Sequence, residues 1–101
     1  MGIAADYLGR FHSIHLPSPQ RGGQPWRITW NAPLHADRVR VRAWTCDCRA
    51  VFYELCHASG QGFIRKTVQG EHGRSEVSES DRVRVKDAQA LWEALISGHA
   101  R

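Results

Sequence analysis

No run of about 18 apolar residues occurs anywhere in this chain, so the sequence offers no helix that could span a bilayer. The stretch from Met1 to Arg10 carries Asp6 and lacks the apolar segment of a secretory signal, which points to a cytoplasmic protein. Cysteine is scarce and odd in number: Cys46, Cys48 and Cys56 cannot all pair, which fits free thiols in a reducing compartment better than a disulfide framework. There is no glycine loop of phosphate-binding form, no paired acidic motif and no Ser/His/Asp order of a hydrolase. No internal repeat is visible either. These absences argue against an enzyme and leave binding as the expected business of the chain.

What is present is a single globular domain's worth of material. A chain of 101 residues, 42% apolar and 24% charged, has the size and balance of one folded core and no need of a metal or disulfides for stability. The net charge is +4, unevenly spread. Residues 1 to 70 hold nine Arg and Lys against four Asp and Glu, while residues 71 to 101 hold five against six. Twelve of the 14 basic residues are arginine, a bias that a GC-rich bacterial genome explains as readily as a need for planar phosphate contacts.

The pattern along the chain divides it into a flexible N-terminal arm or edge segment, residues 1 to 25, and one α+β domain, residues 26 to 98. The cluster Pro17-Ser18-Pro19-Gln20-Arg21-Gly22-Gly23 reads as loop. Trp26, Ile28 and Trp30 alternate with Arg27 and Thr29, the period of a half-buried strand. A second strand sets Val39, Val41 and Ala43 on one face and Arg38, Arg40, Arg42 and Trp44 on the other. Residues 50 to 57 and 63 to 68 form a hairpin through a turn at Ala58-Ser59-Gly60-Gln61-Gly62. The polar stretch Gln69 to Asp81 reads as a solvated loop, with Glu71, Glu76 and Glu79 on its surface. After Arg-Val-Arg-Val at 82 to 85, Asp87 is placed to cap a helix whose Ala88, Leu91, Trp92 and Leu95 share one face, and Gly98 to end it. The expected fold is a small two-layer α+β domain. A three- to four-stranded antiparallel sheet packs the C-terminal helix on one face, with Trp92 and Leu95 against Val39, Val41 and the hairpin.

The leading functional reading is a small nucleic-acid-binding accessory or regulatory protein. Arg38, Arg40 and Arg42 recur every second residue, about 6.6 Å apart on a strand, close to the spacing of successive phosphates. Arg65 extends that face and Trp44 offers a stacking surface. Arg27, Lys66, Arg82 and Arg84 are candidates to widen it. The alternative is a protein-interaction or homodimerisation module with Trp26, Trp30 and Trp44 as exposed aromatic anchors.

No cofactor or metal is expected. Cys46-Asp47-Cys48 with Cys56-His57 names four soft ligands, but an extended strand separates the pairs by roughly 26 Å. Smaller groupings of Cys46 and Cys48 with His72, or of Cys56 and His57 with His35, offer three ligands at most. His12 and His15, three apart, have no carboxylate partner at a telling spacing. Cys56 reads as a structural buried thiol.

Overall fold

A computed structural model describes residues 15–17, 26–34 and 38–101. The expected arm lies largely outside the described residues, as do His12 and His35. The architecture is an antiparallel sheet of five strands with one C-terminal helix packed against it. The strands are β1 (Arg40–Trp44), β2 (Val51–Ala58), β3 (Gln61–Gln69), β4 (Ser75–Glu79) and β5 (Val83–Arg84), and the helix is α1 (Val85–Ile96). The order is β1-β2-β3-β4, and the two-residue β5 shares the outer edge of β3 with β4. No helix among the described residues is long and apolar enough to cross a membrane.

The hairpin of β2 and β3 is the centre of the molecule, paired without interruption from Val51↔Val68 to Ala58↔Gln61. Its turn is shorter than the five residues expected. Ser59 and Gly60 both take positive φ, at 51° and 77°, the tight two-residue geometry whose twist matches that of the strands it joins. Alternation along β2 then decides the layers. Tyr53 and Leu55, with Ile64 of β3, face α1 and pack on Ala88, Trp92 and Leu95. Cys56 and Ala58, with Phe63, face the other way and form a second buried cluster with Val39. The side of the sheet away from the helix is therefore apolar at its centre, where a solvated face was expected.

The first strand departs from simple alternation. Arg40↔His57 and Val41↔Cys56 are followed by Ala43↔Leu55 and Trp44↔Glu54, so Arg42 is an inserted residue in a β-bulge. The insertion flips the phase. Val41 lies on the side of Cys56 and is 40% exposed, while Ala43 lies on the side of Leu55 and joins the core under the helix. Neither Val39 nor Val41 packs beneath Trp92 and Leu95, contrary to the sequence expectation, because the bulge separates them from Ala43.

Two further elements differ from the sequence reading. The stretch expected as loop contains a 3-10 turn at Glu71–Gly73 and then β4, which pairs with β3 from Arg65↔Glu79 to Gln69↔Ser75. Glu79 is buried there. Its carboxylate accepts a hydrogen bond from the Leu34 amide at 3.3 Å and sits 3.5 Å from the Arg82 guanidinium. Conversely, the segment from Trp26 to Trp30 is extended but is not a strand of the sheet. It touches the rest of the chain through isolated bridges at Trp26↔Ala100 and Asn31↔Glu79. Ile28 and Trp30 still lie against the core, as the period predicted, while Trp26 is 71% exposed.

The helix begins one turn earlier than Asp87. Arg84 is its N-cap without a side-chain cap bond, and Asp87 sits in the first turn, where its carboxylate accepts from Arg84 Nε at 3.1 Å and faces the positive end of the helix dipole. Its end is as expected. Gly98 takes φ 87°, its amide bonds to the Leu95 carbonyl and that of His99 to the Ala94 carbonyl, the paired closure that glycine at this position permits. The chain then runs beside residues 26–28, with Trp26 N–H to His99 O at 2.8 Å, Arg101 N–H to Trp26 O at 2.8 Å and Ile28 N–H to Arg101 O at 3.2 Å.

Candidate functional site

The sequence-derived cationic residues divide into two groups by what neutralises them. Arg65 stands in a cross-strand row, Trp44↔Glu54↔Arg65↔Glu79, set by the register of four strands. Its guanidinium is 3.3 Å from the Glu54 carboxylate and half-buried. Arg82 lies against Glu79 and stacks 4.4 Å from the centre of the Phe63 ring, and Arg84 pairs with Asp87. Lys66 lies 5.2 Å from the centre of the Trp30 ring. Each of these charges has a partner within the fold.

Arg38, Arg40 and Arg42 form the second group. All three are exposed, at or in the outermost strand of the sheet, and among the described residues none is in an ion pair. The bulge spreads them around the edge. Arg40 lies on the side of His57, Arg42 is the inserted residue, and Trp44 lies on the side of Glu54, so the four do not share one face. Trp44 is 39% exposed at the end of the strand. Arg27 and Arg49 are exposed as well, Arg49 in the corner that follows β1.

Of the three tryptophans expected as exposed anchors, Trp30 is only partly exposed. Trp30 is committed within the molecule: its indole N–H donates to the Arg101 carbonyl at 3.3 Å, and its ring lies 5.9 Å from that of Tyr53. Trp26 and Trp44 remain exposed, one beside the C-terminal segment and one at the end of β1.

A second constellation lies in the corner between β1 and β2. Thr45 holds the corner shut, with its amide donating to the Tyr53 carbonyl at 2.9 Å and its hydroxyl accepting from the Tyr53 amide at 3.0 Å. Gln69 braces the far side by donating to the carbonyls of Asp47 and Arg49 at 2.9 and 3.0 Å. Between these supports the Sγ atoms of Cys46 and Cys48 approach to 2.9 Å, and Cys48 Sγ lies 3.2 Å from His15 Nε2. The Cys48 amide donates to Cys46 Sγ at 3.4 Å. Cys46 is buried, whereas Cys48 and His15 are exposed. The shared thiol hydrogen bond with Cys46 is the main cause that holds the Cys48 thiol above its ordinary pKa.

Sequence reasoning placed His72 near this pair, but the histidine that joins them is His15, 33 residues before Cys48. No spacing rule could have found it, since 33 residues of sequence separate His15 from Cys48. Cys56 and His57 take no part. Cys56 is fully buried in the second core cluster, where loss of solvation pushes its thiol up to about 11. Comparison of the chain with models of protein families, with curated proteins and with solved structures finds no match.

Proposed function

We propose that the edge formed by Arg38, Arg40 and Arg42 binds an anionic polymer, in the first place the sugar-phosphate backbone of nucleic acid. The observation that carries this reading is the allocation of charge. Arg65, Arg82 and Arg84 are each matched to a carboxylate, while the three arginines of the β1 edge are exposed and have none among the described residues. Such cations attract a chain of phosphates and release its counterions, a gain that does not depend on base sequence. Trp44 adds a ring at the end of the strand on which an unpaired base can stack. Because the arginines surround an edge, a flexible single strand suits them better than a rigid duplex groove. Arg65 supports the sheet and contributes no contact. The reading of a Trp-anchored protein interface is weaker, since Trp30 is engaged within the fold.

The test is retention on DNA and RNA as a function of salt. Wild-type protein is expected to bind single strands with a marked salt slope. Changing Arg38, Arg40 and Arg42 together to Ala is expected to reduce that slope by about 2, at roughly 0.7 per phosphate contact on a single strand, with an unchanged melting temperature. Absence of salt-sensitive binding by the wild type would overturn the proposal. The arginines would then serve to keep the exposed edge of β1 from pairing with another chain.

A further inference from the structure

Cys46, Cys48 and His15 place two sulfurs and one imidazole nitrogen within 4.8 Å of one another, a grouping that neither the hydrophobic core nor the basic edge requires. Two thiolates and an imidazole are a donor set for zinc, which takes sulfur at about 2.3 Å and nitrogen at about 2.0–2.1 Å. Tetrahedral bonding at those lengths needs the two sulfurs about 3.8 Å apart. From 2.9 Å that is a movement of less than about 1 Å, within the reach of small side-chain rotations. The surrounding bonds are those of a preformed site. The Cys48 amide points at Cys46 Sγ, where it stabilises a thiolate, and Thr45 and Gln69 fix the backbone on either side of the two cysteines.

We propose that His15, Cys46 and Cys48 are ligands of a zinc site at the corner between β1 and β2. The proposal departs from the sequence-based expectation of no metal. That expectation rested on the distance from Cys46 and Cys48 to Cys56 and His57, which are indeed not ligands; the third donor comes from elsewhere in the chain. Zinc displaces the two thiol protons on binding, so the centre formed by one Zn²⁺ and two thiolates is neutral and affinity rises with pH. With Cys46 buried, and Cys48 and His15 exposed, the metal is held at the surface. The site fastens the segment of residues 15–17 to the corner between β1 and β2. Its chemistry is separate from that of the arginine edge.

Full-length protein, reduced and freed of metal, is titrated anaerobically with Co²⁺ and then with Zn²⁺ in competition with a chromophoric chelator. The expected result is one metal per chain, with thiolate-to-cobalt charge-transfer absorption and the visible bands of tetrahedral cobalt. Zinc should also raise the melting temperature of the wild type. Both Cys48→Ser and His15→Ala change exposed residues, and each is expected to weaken zinc at least about 100-fold, beyond the 10–100-fold typical of losing an outer-shell partner. Cys56→Ser serves as the control that leaves cobalt absorption per folded chain unchanged. Three results would overturn the proposal: no cobalt spectrum from reduced protein, wild-type affinity in His15→Ala, or a Cys46–Cys48 disulfide that after reduction yields a dithiol taking up no metal.

Discussion

Cys56 and Cys48 show how far position governs the chemistry of a thiol. Cys56 has no exposed surface, and desolvation raises it from an ordinary value of 9.0 to about 11. A group whose pKa is higher in the folded state favours folding while it stays protonated. That contribution is complete below pH 9 and is lost as pH rises through 9 to 11. Tyr53, buried against the helix, is also raised by desolvation and acts in the same direction. The melting temperature is therefore expected to fall between pH 9 and pH 11, and Cys56→Ala should fall less steeply over that interval than wild type. Parallel curves would show that the thiol's ionisation is not coupled to folding. The burial of Cys56 was legible in the sequence from its place in an apolar strand. The neutralisation of Arg65 was not, because its partner Glu54 is set opposite it by the register of β2 and β3.

At the scale of elements, the contact between β3 and α1 organises the core, and two substitutions probe it. Leu95 is fully buried between helix and sheet, so Leu95→Ala is expected to cost about 2–5 kcal/mol. Leu91 is half-buried at the margin of the same cluster, and its truncation should cost less. Chemical denaturation that ranks Leu91→Ala as the more damaging change would show that the helix turns a different face to the sheet. Gly62 tests the closeness of the two elements from the other side. A Cβ added there would lie 2.6 Å from the Cβ of Ala88, so Gly62→Ala should force the helix outward and cost about 1–3 kcal/mol. An unchanged denaturation midpoint would contradict that close approach. The hairpin and helix were legible because alternation and the 3.6-residue period are properties of apolar spacing. In contrast, β4 has only Val77 as an apolar residue, itself 39% exposed, and is held by backbone bonds to β3, which leave no mark in such a pattern. The bulge at Arg42 was hidden for a related reason: its neighbours still alternate in the sequence, and only pairing with β2 reveals the extra residue.

Across the whole molecule, the pieces nearest the two ends of the described chain meet. Leu16 packs on the core under the helix, the Pro17 carbonyl accepts a hydrogen bond from the Arg101 guanidinium, and that side chain also donates to the Leu95 carbonyl at 2.8 Å. The basic surplus of residues 1 to 70 stays visible at the β1 edge because most acidic residues of the remainder occur later in the chain, where Glu79 and Asp87 neutralise Arg82 and Arg84. This division was legible from charge counts alone, whereas the corner that gathers His15 with Cys46 and Cys48 depends on the path of the intervening chain. The bonding of Trp26 and Ile28 to residues 99–101 has a further consequence during synthesis. The hairpin can pair as soon as residue 69 has left the ribosome. The segment that carries Ile28 and Trp30 over the core can be tied at Asn31 once Glu79 has emerged, but its bonds at Trp26 and Ile28 wait for residues 99–101, so every nascent chain passes through a stage in which its sheet is built and that flank of the core is still open to chaperones.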